Sequence, residues 1–588
     1  MSFRLYKHRN NSHYCIRSLL ILLTLFSCTA YSVAAPVIPE NAASQEFLRQ
    51  QERERILRER QEKMPDVRRK GPPAAPEPGL IPSDETPCFE INRILLVGDS
   101  AEKFQWALDT LDTTDAGQAD SATSRCLGSR GINILLHRAQ NAILKRGFVT
   151  TRVLAAPQDL KGGELKLTII PGRVRNIRFA EGTLPGGSLW NSIPASPGDL
   201  LNLRDIEQGL ENLKRVPSAE ADIQIAPAAE ADARPGESDL IITWRQTFPL
   251  RLTLTADDSG AKATGKYQGS ATLSFDNILS QNELMYFTLN NDLGGGSPGD
   301  GGTFGYTGHI SIPYGYWLYA LTSSGSRYHQ SVAGVNQSYS YRGRSTTSEL
   351  KLSRLIYRDA CRKTSLSAGG WLRSSKNFID DTEVEVQRRR MAGWFAGITH
   401  KEFIGPATLE MGFNYKRGEG ILDSLPAPEE PFGEGTSRPE ILNANIELNI
   451  PIEAGPLHLR YSGSWRAQWH LTPLVPQDRF SIGGRYTVRG FDGENVLLGD
   501  SGWVLRNDFG WQILRPGLEA YLGFDYGEVS GPSSELLLGK HLSGGVLGLR
   551  GAFKTFFYDL FMGTPISTPK NFTADSLVLG FSCGLSLP

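Results

Sequence analysis

The sequence predicts a mainly β protein: a 16-stranded transmembrane β-barrel preceded by two small α/β domains and an N-terminal helix. Three observations carry this reading. From about residue 248 onward, apolar and polar side chains alternate in runs of roughly 10 residues. The connections between those runs alternate short and long. No stretch of 18 or more apolar residues exists, so the chain is not a helical multi-pass membrane protein. The 588 residues carry 62 Lys+Arg against 63 Asp+Glu, and a net charge of −1 argues against bulk nucleic-acid binding.

The N-terminus directs export. Lys7, Arg9 and Arg17 precede an apolar core, Leu19 to Phe26, and small residues follow at Ser32-Val33-Ala34. This is the pattern of a secretory signal peptide, residues 1–34, with cleavage after Ala34 because Pro36 disfavours a cut directly before it. Cys15 and Cys28 leave with it. Cys88, Cys126, Cys361 and Cys583 remain, in an oxidising compartment.

Residues 44–63, SQEFLRQQERERILRERQEK, hold no Pro or Gly. Ser44 can cap, and Glu54–Arg58 and Glu59–Lys63 have i,i+4 spacing, so a helix is expected. It has only Phe47, Leu48, Ile56 and Leu57 to bury, so it is exposed or lies in water-filled space. Residues 64–87 contain Pro65, Pro72, Pro73, Pro76, Pro78, Pro82 and Pro87 and read as an extended periplasmic linker.

Residues 88–246 are globular in composition and split at Pro171-Gly172 into two units, 88–172 and 173–246. In the first, Phe89, Ile91, Ile94 and Leu96 suggest a strand. Leu135, Ala139, Ala142 and Ile143 suggest a helix ending at Gly147, and Val149–Val153 and Glu164–Ile170 suggest two more strands. In the second, Val174–Phe179, Ile223–Ile225 and Leu240–Trp244 read as strands around a helix at Leu203–Leu213.

The barrel spans 248–588. Its expected strands are 251–258, 266–275, 283–291, 303–312, 316–329, 345–357, 363–374, 386–401, 406–417, 440–450, 457–470, 501–512, 517–527, 541–549, 553–562 and 574–587. Pro313-Tyr314-Gly315 and Arg550-Gly551-Ala552 read as short turns. The segments 292–302, 418–439 and 471–500 read as long polar loops. Short turns on one side and long loops on the other suit an up-and-down membrane barrel, and an even count puts both ends in the periplasm.

Two motifs point toward an enzyme and are set aside. Val97-Gly98-Asp99-Ser100 resembles a hydrolase nucleophile block, but no histidine has an Asp three residues before it. Gly499-Asp500-Ser501-Gly502 echoes a serine-protease motif, but its place at the foot of a long loop fits a turn. The chain has no Walker loop, HExxH or CxxC, so no metal, nucleotide or other cofactor is expected. Cys88 and Cys126 are expected to pair. Cys583 lies on an apolar stripe facing lipid, and Cys361 in a short turn.

The longest outer loop, 471–500, contains Val488-Arg489-Gly490-Phe491, unusually apolar for a solvated loop. Further on comes Leu522-Gly523-Phe524-Asp525-Tyr526-Gly527. With Leu522 and Phe524 facing lipid, Asp525 points into the lumen. Arg489 and Asp525 can pair if the loop folds inward; otherwise they are two solvated charges.

These motifs resemble those of the outer-membrane transporters of two-partner secretion, within the wider Omp85 superfamily. Val488-Arg489-Gly490-Phe491 is similar to the family's loop-tip motif, and Gly523-Phe524-Asp525-Tyr526-Gly527 to its partner strand motif. Pro87-Cys88-Phe89-Glu90-Ile91, Arg125-Cys126-Leu127-Gly128 and Arg146–Val153 resemble its first POTRA domain, and Ile169–Val174 resembles the junction to the second. The resemblance covers nearly the whole mature chain. It implies a plug helix at 44–63, POTRA domains at 88–172 and 173–246, and an inward-folded loop at 471–500. It implies export of a large partner exoprotein of haemolysin, adhesin or contact-dependent toxin type, captured through its N-terminal secretion domain. It implies that this export proceeds without nucleotide hydrolysis. The expected setting is the outer membrane of a Gram-negative bacterium, in contact with its lipid, with the POTRA domains periplasmic and the chain working as a monomer. The alternative function is an assembly factor that inserts other barrels, for which more than two POTRA-like units would be expected. One departure stands out: such barrels often end in an aromatic residue, and this chain ends Leu587-Pro588.

Overall fold

Side-chain alternation closes into a wall. In a computed structural model, sixteen antiparallel strands, from Leu250–Asp257 to Val578–Leu587, form a closed barrel among the described residues. Those residues are 42–69, 71, 79–114, 117–183, 186–229, 232–296, 301–333, 338–514 and 517–587. The predicted signal peptide lies outside them, as do residue 70 and residues 72–78 of the Pro-rich linker. A two-residue strand, Thr382–Glu383, folds back on Arg362–Ile379 as a small outer hairpin. The last wall strand joins the first through only Ser582↔Asp257 to Leu587↔Leu252, the shortest ladder between neighbours in the wall.

All sixteen expected strands are present. Most that differ are longer, because the ladder continues wherever two outer segments can keep pairing, but the last is shorter, Val578–Leu587 against an expected 574–587, and the second starts later, at Gln268 against 266. Ser338–Arg358 begins seven residues before its expected start at 345, its early part paired with Trp317–Ala333. Arg550-Gly551-Ala552 is not a turn. Those residues stay in the strand His541–Phe553, and the chain reverses at Lys554-Thr555, with Lys554 at φ 53°. Among the described residues, six connections on one side are short: 277–283, 315–316, 359–361, 405–406, 455–456 and 554–555. Cys361 sits in one of them. The faces separate as alternation requires. Phe413, Trp469, Leu522 and Leu579 are exposed outside, while Glu410, Asn414, Glu447, Asn449 and Arg460 line water-filled space inside.

The first globular unit holds β1 (Phe89–Ile91), β2 (Arg93–Gly98), β3 (Arg125–Leu127), α2 (Ser129–Lys145), β4 (Arg152–Leu154) and β5 (Glu164–Ile170); α1 is the N-terminal helix Ala42–Gln61. The single strand expected over 89–96 is broken at Asn92. Its first part pairs with β3 and its second runs parallel to β5. Of Val149–Val153 only the end is strand, since Val149 and Thr150 form the turn after α2. Leu135, Ala139 and Ile143 recur every four residues on α2 and are fully buried against Ile91, Leu127, Leu165 and Leu167. Cys88 and Cys126 form a disulfide beside the β1–β3 pair, with Cα atoms 5.3 Å apart.

The second unit holds β6 (Arg173–Phe179), α3 (Leu189–Ser192), α4 (Leu203–Leu213), β7 (Ala219–Pro227) and β8 (Glu237–Gln246), with sheet order β6-β8-β7. The Asn202 side chain caps α4 by accepting the Arg204 N–H at 2.9 Å. Leu203, Ile206, Leu210 and Leu213 face Ile223, Leu240 and Ile242 in its core. This unit is bolted to the barrel's short-turn side. Arg215 donates to the Ser311 carbonyl at 2.9 Å, Asn212 to the Gly315 carbonyl at 2.8 Å, and Asn282 to the Ser188 carbonyl at 2.7 Å.

The two hydrolase-like motifs are structural. Asp99 and Ser100 form the turn just after β2 and receive the Arg173 guanidinium at 2.9 and 2.6 Å, tying the two units together. Asp500 accepts the Ser533 N–H at 2.8 Å, and the Ser501 hydroxyl meets His470 Nδ1 at 2.6 Å where the strand Ser501–Leu514 begins.

Candidate functional site in the barrel lumen

Two segments occupy the lumen: α1 and the loop 471–500. The loop is folded inward by charge and by apolar packing together. Near its start Asp478 receives two nitrogens of Arg373, at 2.8 and 2.6 Å, both side chains buried. Phe480–Ile482 then pairs with Leu497–Gly499 as a small hairpin. Val488, Phe491, Ile482 and Leu497 pack with the wall residues Val504, Val529 and Leu542. The ring of Phe491 also meets Phe572 of the outer loop 568–577 edge-on, with centroids 6.0 Å apart.

At the loop tip Arg489 meets Asp525. Nε donates to Oδ2 at 2.7 Å and Nη2 to Oδ1 at 2.8 Å, and Asp525 has no solvent exposure. This two-toothed geometry matches a planar guanidinium to a carboxylate. Gly490 at φ 101° turns the chain at the tip, and a Cβ there would sit 2.6 Å from the Thr564 carbonyl oxygen. Gly523 makes room for the pair: its Cβ would lie 2.8 Å from Arg489 Nη2. Phe524 points outward and touches none of these groups; it contributes to the lipid face. Asp508 was not singled out from the sequence. It accepts Arg489 Nη2 at 2.6 Å and Arg550 Nη1 at 2.8 Å. A sequence signal for it existed, since exposed Phe509 and Trp511 put Asp508 on the inner face by alternation.

Helix α1 begins at Ala42, two residues before the expected start, so Ser44 lies inside it and is buried rather than capping. The expected Glu54–Arg58 pair is replaced by one contact within the helix and by contacts to the wall. Glu54 accepts from Gln50 at 3.0 Å and from Ser324 at 2.9 Å, while Arg58 reaches Glu349 at 3.2 Å. Glu59 takes Arg55, not Lys63, as its partner. Arg466 donates to Glu52 at 3.0 Å, Arg49 to the Gly493 carbonyl at 2.8 Å, and Tyr286 to Glu62 at 3.0 Å. Phe47, the one buried large apolar residue of the helix, lies 5.3 Å from the Arg373 guanidinium. The helix does not fill the lumen: a cavity of about 1330 Å³ separates its Gln51–Arg55–Glu59 face from the opposite wall. Polar residues all round the helix thus have a physical explanation, because water and charged wall surround it.

A closed sixteen-stranded wall, fed by two small α/β units and occupied from within by a helix and a folded loop, defines an outer-membrane transport barrel. The model of the haemolysin secretion/activation proteins ShlB/FhaC/HecB matches residues 236–551. POTRA models match 109–172 (ShlB-type) and 173–227. The outer membrane transporter CdiB-2 of Burkholderia pseudomallei strain 1026b is 34% identical, covering 96% of this chain and 98% of the relative. The hemolysin transporter protein ShlB of Serratia marcescens is 23% identical over 70% of this chain and 73% of its own. The solved structure of CdiB from Acinetobacter baumannii superposes with a TM-score of 0.82 at 29% identity, covering 94% of this chain and 100% of that one. The chain therefore belongs to the ShlB/FhaC/HecB family of outer-membrane secretion proteins, with its two POTRA domains in the periplasm.

Proposed function

We propose that this chain exports one large partner exoprotein, of haemolysin, adhesin or contact-dependent toxin type, through its own lumen as a monomer. The lumen contents carry this reading: α1 and the tip of loop 471–500 stand in the path, α1 held almost wholly by ion pairs and hydrogen bonds and the loop tip by the Arg489–Asp525 pair together with a small apolar cluster. Such contacts can be exchanged for contacts with water or with a passing chain, so the pore is obstructed but not sealed. The POTRA domains would capture the unfolded N-terminal secretion domain of the partner, by strand addition at a sheet edge. Folding of the partner outside would draw the rest through, without nucleotide hydrolysis.

The test is co-expression with a candidate partner, a large secreted protein from a neighbouring reading frame if one is found there. The partner should reach the medium or cell surface only when this chain is present, and this chain should fractionate with outer membranes and migrate heat-modifiably. If removing it instead lowers outer-membrane barrels in general, the assembly-factor reading replaces export. Deleting 44–63 should raise conductance in planar bilayers.

A further inference from the structure

Just beyond α1, four consecutive residues are gripped by the barrel rim and the second POTRA domain. Asp66 receives Lys363 Nζ at 2.9 Å and Lys401 Nζ at 2.8 Å. The Val67 N–H donates to Glu211 Oε1 at 2.7 Å, and the Val67 carbonyl accepts Arg358 Nη2 at 2.6 Å. Arg68 lies 4.2 Å from the Phe403 ring centroid. The Arg69 N–H donates to Glu207 Oε1 at 2.6 Å, its guanidinium donates to the Ile223 carbonyl on β7 at 2.5 Å, and it pairs with Asp222.

The receiving groups form a built site. The side chains of Arg358, Glu207 and Glu211 are 2%, 0% and 6% exposed. Arg358 clamps both carboxylates, with Nε to Glu207 at 3.1 Å and Nη1 to Glu211 at 2.9 Å. This triad presents acceptors to two alternate backbone N–H groups and a donor to the carbonyl between them. Those are main-chain contacts, which any extended segment can make. Around them, Lys363 and Lys401 accept an acidic side chain, and Phe403 and Asp222 accept cationic ones.

We propose that Asp66–Arg69 is an autoinhibitory strap occupying an extended-peptide site at the periplasmic mouth, and that an extended segment of the exported polypeptide, acidic then basic, displaces it. The proposal rests on the export reading above. Asp66 lies five positions beyond the end of α1 at Gln61, a reach of at most ~18 Å. With the strap closed, a helix ~30 Å long stays tethered at the rim it must clear. Releasing the strap frees the plug, so the arriving cargo removes the obstruction by taking its anchor.

Full-length Val67→Pro removes the N–H that Glu211 accepts, whereas Val67→Ala keeps it. In planar bilayers Val67→Pro should raise the frequency of large openings roughly tenfold or more, the equivalent of one charge-assisted hydrogen bond, and Val67→Ala should not. A synthetic peptide of residues 64–69, added on the periplasmic side of the wild-type channel, should raise openings saturably; the same peptide N-methylated at Val67 should fail. If Val67→Pro and the peptide are both silent while deletion of α1 opens the channel, the strap is wrong and the export reading stands. If Val67→Pro opens the channel but the peptide does not, displacement by cargo is wrong. Failure of export itself would show separately, as wild-type cells that do not release the partner.

Discussion

Arg489 offers Asp525 three donors from one residue: the backbone N–H at 2.9 Å, Nε at 2.7 Å and Nη2 at 2.8 Å. Two of the three fall on the same oxygen, Oδ2. The contact therefore reads both the side chain and the backbone path of the loop tip, and Asp525 holds the loop in one conformation rather than merely neutralising a charge.

Removing one partner of a buried pair typically costs about 3–5 kcal/mol, because the other charge is left uncompensated. Arg489→Ala leaves Asp525 with Arg506 at 3.8 Å, whereas Asp525→Ala leaves Arg489 on Asp508 at 2.6 Å. Both variants should assemble heat-modifiable barrels at normal abundance and secrete poorly, Arg489→Ala the worse of the two. The double variant should be little worse than Arg489→Ala, since the pair acts as one element. Arg489→Lys should rescue weakly, because one ammonium cannot span Asp525 and Asp508 in this fork geometry. Gly523→Ala should resemble Arg489→Ala, since its methyl group would contact Nη2 at 2.8 Å. Normal secretion in the single variants would refute the role.

Glu85 sits in the linker but caps α2. Its carboxylate accepts the N–H groups of Gly128, Arg130 and Gly131 at 2.8, 2.7 and 2.9 Å. Burial alone would raise its pKa; the three donors outweigh that and hold it below the usual carboxylate value. Its stabilising effect is present above the ordinary carboxylate pKa and is lost as pH falls through the lowered one. Glu85→Ala should destabilise the first POTRA domain by about 1 kcal/mol, measured as faster hydrogen exchange along α2 in the full-length protein.

Asp205 on α4 has the opposite sign. Burial pushes its carboxyl up to about 6, against the Tyr316 hydroxyl that donates to it, with Asp199 raising it further and Arg358 opposing. The ionised form is therefore disfavoured in the docked state. Docking of the second POTRA domain on the turn 315–316 should strengthen as pH falls from 7 through 6 toward 4. Asp205→Asn should remove that dependence, read by hydrogen exchange of α4 at a series of pH values.

The Cys88–Cys126 bridge closes a loop with a sequence separation of 38. In the chain-entropy model this stabilises the first POTRA domain by about 4 kcal/mol. Neither thiol should take an alkylating label in denatured, unreduced protein, and both should after reduction. Cys88→Ser should increase proteolysis within 88–172 while leaving the barrel heat-modifiable.

Much of this molecule was legible in one dimension. A wall strand has one wet and one lipid face, so its period of two is written in composition, and sixteen strands could be counted without coordinates. The inward direction of Asp525 followed from Leu522 and Phe524 by the same rule. Turn positions were less legible: Arg550-Gly551-Ala552 has turn-like residues but lies within a ladder that continues to Phe553. Asp508 was hidden for another reason. Its importance depends on a partner from a loop nineteen residues away, and alternation gives a side chain's direction but not what meets it.

The sequence by itself determined the barrel, the two α/β units, the polar helix and the motif residues at the loop tip, because each depends on local period or local composition. Only the tertiary structure decided which charges meet. Arg58 has acidic residues within helix reach, yet it pairs with Glu349; Asp66, Val67 and Arg69 read as linker and yet are held by side chains from 138 to 335 positions away. The physical reason is that charge and hydrogen-bond partners are set by closure of the wall around its contents, which brings distant residues within a few ångströms, whereas periodicity reports only on neighbours along the chain.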